Sequence, residues 1–540
     1  MDMIKRRDVL KLFPAMAAAS LSSQSDTHAQ SQNVRTRKVG LNLAPVTYYT
    51  TEHPFRNLAL TASRWRLQEI GGPFRWDLPL PPSTPTGYPL TVPAGYYLES
   101  FIVFTEHRAH LPELITVTYE GLGTLQYVGG GQLVSRAAGR DVVRNLRNDS
   151  PITMRLVSTS ASQPLQNIRV IEGLTPSTAR FRAPFLTRLS SMSVLRFMDW
   201  MDTNNSKTST WAQRPRLNRY SQTEGGVALE LMVALCNQLR VSPWFTLPHL
   251  ANDDYIRRFA ELVRSSLHSD LAVHVEYSNE VWNGLFEQSA YARREGLRLG
   301  LSTNEYEAGL RFYSQRTSEM LSIWEDVFGS QKGRVIGVYA AHAVNTWTSE
   351  VILSWRDAVE HADVLAIAPY FGPSFGNAEN GLAVARWSLD QLFTALEREV
   401  NGENRVFIQR QTAIARRFGI RLVAYEGGQH LVAATGTTHD QALQRLFSAA
   451  NRHQRMGDLY QTHLSHWFLE GGDVYALFNS MGTYSQWGYW GLLEHESGAA
   501  TAPKWRALQE LRTPHRTVQV GPTGAHQAPK SKKENPPPKR

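Results

Sequence analysis

The sequence predicts a (β/α)8 barrel carrying an accessory β-sandwich within its 540 residues. Three observations predict it. From about residue 190 onward, short apolar runs alternate with long amphipathic stretches, which is the rhythm of a parallel sheet built through crossover helices. Between about 66 and 173 the pattern is different: short alternating runs, punctuated by Gly, Pro, Asn and Asp, with no helical period between them. Seven strand-like runs follow residue 190 and an eighth candidate lies upstream, which makes the count for a closed barrel.

The elements follow in chain order. Residues 5–11 read Lys-Arg-Arg-Asp-Val-Leu-Lys, then an Ala-rich apolar run Leu12–Leu21, then Thr27-His28-Ala29. A twin-arginine pair ahead of a weakly apolar stretch and a small-residue site resembles a bacterial Tat signal over 1–29. Cleavage after Ala29 would leave a mature chain from Gln30 in the periplasm or outside the cell. The plain alternative is a basic N-terminal helix. Lys38–Leu43 reads as the first barrel strand and Pro54–Trp65 as its helix, giving a first unit over 38–65. The sandwich over 66–173 then reads as an insertion after that unit. It contains the runs Tyr96–Phe104, Leu114–Tyr119, Thr124–Val128, Ile152–Val157 and Ile168–Ile171. The alternative makes 38–43 the sandwich's own first strand.

The barrel proper spans 174–515. Its further strands are expected at Val194–Met198, Ser242–Leu247, Leu271–Tyr277, Val335–Ala340, Val364–Ala368, Leu422–Tyr425 and Asp473–Phe478. Helices are expected at Val227–Val241, Asp253–Leu267, Ala290–Leu299, Glu305–Phe328, Trp387–Val400, Ile408–Phe418 and His439–Gly457. Asp253-Asp254 fit the charged first turn of a helix. Cys236 falls in an apolar helical stretch and reads as a buried thiol. The end, 516–540, is rich in Pro and Lys with almost no large apolar residue, a composition of disordered tails.

Composition narrows the function. Apolar residues are 42% and charged residues 19%, an ordinary globular balance. No run of about 18 apolar residues occurs, so a spanning helix is excluded and the mature form has no membrane partner. One cysteine excludes an internal disulfide framework and a Cys-rich metal site. The net charge of +9 sits at the two ends. Residues 1–37 carry six Lys/Arg against three Asp, and 514–540 carry six against one Glu, which leaves +1 for the body. That placement does not support a nucleic-acid-binding face. No His-x-x-x-His pattern suggests catalytic zinc, no phosphate-cradling loop is present, and Gly129-Gly130-Gly131 reads as a sandwich turn; no cofactor is expected.

A barrel's chemistry sits at the C-terminal ends of its strands. The fourth strand ends Glu276-Tyr277-Ser278-Asn279-Glu280-Val281-Trp282-Asn283 and the seventh ends Tyr425-Glu426-Gly427-Gly428. Two carboxyl groups facing one bond are the minimal equipment for glycoside hydrolysis. One donates a proton to the leaving oxygen, and the other attacks the anomeric carbon or activates water.

These residues resemble the clan of retaining (β/α)8 glycoside hydrolases, in which Asn-Glu closes the fourth strand and a lone Glu the seventh. The resemblance implies that Glu280 is the acid/base and Glu426 the nucleophile. It further implies that Arg196 stands close to the nucleophile, that Tyr370 hydrogen-bonds it, and that Trp487 and Trp490 supply an aromatic sugar platform. The runs Val194–Asn205 and Val275–Asn283 also resemble bacterial secreted proteins often labelled "cellulose-binding". The resemblance covers 190–495 through a few short motifs. It departs from the clan where Val281-Trp282 replaces the Pro that many members carry after the acid/base, so substrate specificity does not transfer from any one family.

The roles have physical requirements. Glu280 as acid must hold its proton near neutral pH, through burial or a neighbouring negative charge, which ionised Glu426 would supply. Arg196 and Tyr370 would keep Glu426 ionised. Asn279 would bond the sugar 2-hydroxyl. A carboxyl separation of about 5–5.5 Å implies retention and about 6.5–9.5 Å inversion. Trp200 reads either as a sugar platform or as barrel packing, His249 as a subsite contact or a structural residue, and Asp199 and Asp202 as hydroxyl ligands or loop caps. Tyr96, Tyr97 and Tyr127 leave open whether the sandwich binds glycan or braces the barrel.

The sequence therefore predicts a secreted retaining glycoside hydrolase, with a β-linked polysaccharide or oligosaccharide as partner. A non-catalytic carbohydrate-binding protein on the same barrel is the alternative, and a transglycosylase would use the same residues. Oligomeric state, sugar and linkage are not legible.

Overall fold

A computed structural model of the chain describes residues 37–104, 111–146, 149–174, 178–434 and 436–512. The signal-like segment 1–29 and the tail 516–540 lie outside the described residues. In chain order the strands are β1 (Val39–Asn42), β2 (Arg66–Glu69), β3 (Tyr96–Val103), β4 (Leu114–Glu120), β5 (Gly123–Gly129), β6 (Gly131–Ala137), β7 (Arg140–Asn145), β8 (Ile152–Thr159), β9 (Gln166–Glu172), β10 (Val194–Arg196), β11 (Ser242–Leu247), β12 (Val273–Tyr277), β13 (Val335–Ala340), β14 (Val364–Ile367), β15 (Arg421–Ala424) and β16 (Tyr475–Leu477).

Eight of them close a parallel barrel in the order β1-β10-β11-β12-β13-β14-β15-β16. Closure is made by β16 returning to β1, with Val39 opposite Tyr475 and Leu41 opposite Leu477. The strands are short and almost wholly buried, as parallel strands covered on both faces must be. The helices wrap them with one apolar face each. In the helix Asp253–Ser266, Tyr255, Ile256, Phe259, Ala260 and Val263 are buried, the Asn252 side chain accepts from the Tyr255 amide, and Asp253 and Asp254 occupy the first turn. Cys236 is fully buried in the helix Leu229–Leu239.

β2–β9 fall between β1 and β10 in the chain and form two antiparallel four-stranded sheets, β2-β3-β8-β5 and β6-β7-β4-β9. One apolar cluster joins them, with Leu98, Ile102, Leu125 and Met154 from the first and Ile115, Val117, Val143 and Ile168 from the second. Gly129, at φ 68°, makes the turn that carries the chain from one sheet to the other. The loop after β10 touches this unit: Tyr220 stacks on Trp65 at 5.0 Å and donates to Ser100 Oγ at 2.8 Å.

Two expected helices differ. Pro54–Trp65 forms no α-helix but a single 3-10 turn, Leu58–Thr61, and the chain runs on into β2. The Asn57 carboxamide accepts from the amides of Ala59 and of Val170 in β9, while Leu58, Ala59, Ala62 and Trp65 bury in the sandwich cluster. Tertiary contacts thus override a modest helical pattern. The helix ahead of β10 is Ala183–Leu189, after the sandwich strands. Likewise His439–Gly457 is not one helix but parts of two, Gln441–Arg452 and Gln454–Leu469. The break is at His453, whose backbone is extended and whose ring accepts from the Arg455 amide.

Candidate active site

The site is assembled at the C-terminal ends of the barrel strands, around one arginine. Arg196 ends β10 and is completely buried. Its guanidinium grips Glu276 of β12 in a two-pronged pair, with Nε and Nη2 each at 3.0 Å. Nη1 donates to Asn42 Oδ1 of β1 at 3.1 Å, and Nη2 donates to Asn279 Oδ1 at 2.8 Å. Trp244 of β11 donates Nε1 to Glu276 Oε2 at 2.7 Å, and Asn42 donates Nδ2 to the Tyr425 carbonyl at 2.9 Å. One buried cation thus ties together β1, β10, β11, β12 and the end of β15. A buried charge needs this density of partners.

Glu280 and Glu426 stand next to this anchor. Glu426 follows β15 and is 6% exposed. Arg196 reaches it only at the long distance of 3.4 Å from Nη1 to Oε2. Burial, then the charge of Glu280, pushes the Glu426 carboxyl well above the usual range, with Arg196 opposing and Asp199 adding to the rise. The two carboxyl groups are thus close enough for the charge of one to act on the other. Glu280 Oε1 accepts from the Tyr425 hydroxyl at 2.9 Å and Oε2 from Asn283 Nδ2 at 2.8 Å. Two neutral donors serve Glu280, and one long contact from an already matched arginine serves Glu426.

Arg196 is charge-matched by Glu276. The phenol that bonds a carboxylate is that of Tyr425, and it bonds Glu280. Tyr370 follows β14 and is part-buried; burial, then the charges of Glu426 and Glu280, raise its hydroxyl well above the ordinary range. Its ring meets His430 edge-on at 5.1 Å.

Asn279 is buried and clamped. Beyond Arg196, it donates Nδ2 to Asn204 Oδ1 at 3.0 Å, and Gln288 donates to the Asn279 carbonyl at 2.9 Å and to Asn204 Oδ1 at 2.8 Å. An amide nitrogen carries two hydrogens, so one is left for a sugar hydroxyl. The backbone on either side is left-handed, Ser278 at φ 59° and Glu280 at φ 43°. Non-glycine residues in that region cost about 1–2 kcal/mol each, and such outliers concentrate where function demands a special turn.

Of the other expected residues, Asp199 lies in the turn after β10, and burial, opposed by Arg196, raises its carboxyl to about 7. Asp202, three residues on, is exposed and left-handed at φ 48°. His249 is buried against Tyr291 at 5.3 Å, and burial lowers its ring to about 4, so it is neutral at pH 7. Trp490 meets His430 at 5.6 Å and Phe478, directly after β16, at 5.7 Å. Phe478, Trp490, His430 and Tyr370 thereby form one continuous row of rings. Trp487 is 71% exposed on the turn above. Trp200 is no platform: it is 1% exposed, packed between Phe55, Phe185 and Phe197, with Nε1 donating to the Ala44 carbonyl at 3.0 Å.

Sequence reasoning missed Glu276, Trp244, Asn42 and Tyr425. The available signal was Glu276, a carboxylate inside an otherwise apolar strand, which requires a buried cation. Among the described residues no group of three or more His, Cys, Asp or Glu is set to hold a metal ion, and no helix is long and apolar enough to cross a membrane.

No family model matches the chain, and no curated protein matches it significantly. Solved structures similar to it include the GH51 arabinofuranosidase from Xanthomonas axonopodis pv. citri, at 14% identity and TM-score 0.37 over 58% of this chain and 62% of that one. A GH5-4 broad specificity endoglucanase from Clostridium acetobutylicum is 12% identical, with TM-score 0.35 over 63% and 90%. Xylanase 10B from Thermotoga maritima is 10% identical, with TM-score 0.32 over 61% and 88%. The chain thus spans less than two thirds of the arabinofuranosidase. These neighbours are glycosidases; likenesses so distant assign this chain no substrate.

Proposed function

We propose that this chain is a retaining glycoside hydrolase acting on a β-linked polysaccharide or oligosaccharide. The observation that carries the reading is the placement of two carboxyl groups, Glu280 just after β12 and Glu426 just after β15, at the C-terminal ends of the strands of a closed barrel, where the charge of one acts on the other. Double displacement requires a carboxyl separation of about 5–5.5 Å, against about 6.5–9.5 Å for an inverting site that must admit a water. In that reaction Glu426 attacks the anomeric carbon while Glu280 protonates the departing oxygen. Glu280 then takes a proton from the water that hydrolyses the glycosyl-enzyme.

Asn279 keeps one amide hydrogen for the 2-hydroxyl, and the row of rings from Tyr370 to Trp490 suits the apolar face of a pyranose ring. Asp199, half-neutral near pH 7, can donate to or accept from a sugar hydroxyl. The twin-arginine segment 1–29 would place the mature enzyme in the periplasm or outside, where polymeric glycans are met.

The test is reducing-end release by the chain from Gln30 on β-glucans, xylans, mannans and galactans, with proton NMR of the first anomer formed. Retained product, lost in Glu426→Gln, supports the proposal. Inverted product refutes the mechanism. Saturable glycan binding without turnover favours the binding-protein alternative, and glycosyl transfer to sugar in preference to water favours a transglycosylase.

A further inference from the structure

Glu280 accepts two side-chain hydrogen bonds, and the two donors are not alike. Asn283 lies three residues on in the same loop, half-buried, and gives Nδ2 to Oε2 at 2.8 Å. Tyr425 lies 145 residues away, directly after β15, and gives its hydroxyl to Oε1 at 2.9 Å. Its side chain is completely buried. The residue just before Glu426 is thus bonded to the other glutamate of the pair.

That phenol is held from several sides. The Tyr425 amide donates to the Ile367 carbonyl of β14 at 3.1 Å, and its own carbonyl accepts from Asn42 Nδ2 of β1 at 2.9 Å. The Arg196 guanidinium carbon lies 5.0 Å from the ring centroid, within reach of a cation–ring attraction. Backbone and ring are therefore tied to β1, β10 and β14, and the hydroxyl is presented at one place. Burial, then the charges of Glu280 and Glu426, raise that hydroxyl well above the ordinary range, so it keeps its hydrogen and acts as a donor.

A fixed donor acts unequally on the two forms of an acid. Against a neutral carboxyl it makes an ordinary bond, and against a carboxylate the bond is charge-assisted and roughly twice as strong. In the first step of the proposed reaction, the Glu280 proton goes to the glycosidic oxygen. The bond from that oxygen to the anomeric carbon breaks, its electron pair staying with the oxygen, and the Glu426 carboxylate forms the new bond. Glu280 ends as a carboxylate. A donor already in place favours that charge as it develops, with no reorganisation. Each carboxyl oxygen has two lone-pair sites, so the bond to Tyr425 leaves room for the proton to be transferred. We infer that Tyr425 is a positioning residue for the acid/base, orienting the Glu280 carboxyl and stabilising the carboxylate that proton transfer leaves behind. The inference rests on the hydrolase reading of the site.

The test compares the full mature chain with its Tyr425→Phe variant, which keeps the ring and removes only the hydroxyl. The substrates are the polymer the chain hydrolyses and the phenyl, nitrophenyl and dinitrophenyl β-glycosides of glucose, xylose, mannose and galactose and of their β-linked disaccharides. kcat/KM reports the step in which the leaving group departs. Phenol and sugar need a proton to leave, and dinitrophenolate does not. Tyr425→Phe is expected to lower kcat/KM about 10- to 100-fold on the polymer and the phenyl glycosides, the range of one hydrogen bond to a charged group. The loss should shrink steadily toward the dinitrophenyl glycosides. A residue that only fills the core would lower all of them alike. Urea midpoints of the parent, Tyr425→Phe, Glu280→Ala and the double variant supply a readout free of catalysis, in which the two single shifts should not add. An equal loss on every leaving group, or none, overturns this inference alone, as do additive midpoint shifts. A parent chain inert on every polymer and glycoside overturns the hydrolase reading, and this role with it.

Discussion

Replacing Glu276 by Gln should move the pH optimum to the acid side, because Glu276 neutralises the arginine that Glu426 would otherwise use. The two contacts, 3.0 Å from Glu276 to Arg196 and 3.4 Å from Arg196 to Glu426, joined across one guanidinium, put the bonded carboxyl oxygens at most roughly 9 Å apart. At an effective dielectric near 20, deleting a unit charge at about 9 Å changes the cost of ionising Glu426 by about 1.8 kcal/mol, or about 1.4 pH units. The charge of Glu276 is also coupled to Glu280, so both macroscopic steps of the pair should fall together. The expected profile of kcat/KM is the wild-type bell displaced by 1–1.5 units downward, by this estimate. Gln keeps the shape and one oxygen for Trp244 or Arg196. Urea unfolding supplies a readout free of catalysis. With Glu276 gone, Glu426 can ionise and serve as counter-ion to Arg196, whereas Glu276→Gln/Glu426→Gln leaves Arg196 buried and unmatched, at about 3–5 kcal/mol. The double variant should therefore lose more than the two single losses combined. A bell that stays in place, or moves to the alkaline side, together with additive stability losses, would refute the charge-matching account.

Glu280→Gln and Glu426→Gln should each lower kcat by about 100- to 10,000-fold, and azide should restore turnover of an activated aryl glycoside in Glu426→Ala with inverted glycosyl azide as product. Acid stability should depend on Glu496: burial raises its carboxyl, but Arg182 and Arg188 overcome that and hold it at about 2. A depressed carboxyl gives stability above its unfolded value that is lost as pH falls through the folded one. Glu496→Gln should thus cost about 3 kcal/mol at pH 7 and little at pH 2, read by urea midpoints at both. Trp200→Ala should cost about 3–5 kcal/mol of stability and leave glycan affinity of the folded fraction unchanged; a selective loss of affinity would return Trp200 to the binding surface.

All eight barrel strands were legible because parallel strands covered on both faces are predominantly apolar, and Ser242–Leu247 and Val335–Ala340 begin and end where the sequence suggests. The sandwich was less so. β6 is exposed along nearly its whole length and shows neither alternation nor an apolar run. The segment 54–65 carries a helical pattern whose apolar residues answer to another sheet. At the site, the two glutamates could be found because strand ends are where chemistry sits. Their electrostatics could not, since it depends on which acid holds Arg196. Glu276 and Glu426 are 150 residues apart in the chain, and only the closed barrel decides that the first takes the two-pronged pair and the second the long contact. Trp200 shows the same limit for aromatics: a ring near a strand mouth serves core or ligand according to whether a neighbour such as Phe185 covers it.

The segment Ser278–Glu280 shows how the fold divides the labour. Two consecutive departures into left-handed backbone, on either side of Asn279, cost about 2–4 kcal/mol together and persist only if their surroundings over-determine them. Those surroundings are specific. Arg196 holds the Asn279 side chain from the barrel interior, Asn204 holds it from the loop after β10, and Gln288 holds both the Asn279 carbonyl and Asn204 from the helix Glu287–Arg298. The Glu276–Arg196 pair therefore acts twice. It takes up the arginine that Glu426 meets only at 3.4 Å, and through Asn279 it fixes the turn that carries Glu280. A site built this way couples charge to backbone geometry, so any change that frees Arg196 from Glu276 must alter proton placement and the Glu280 turn together.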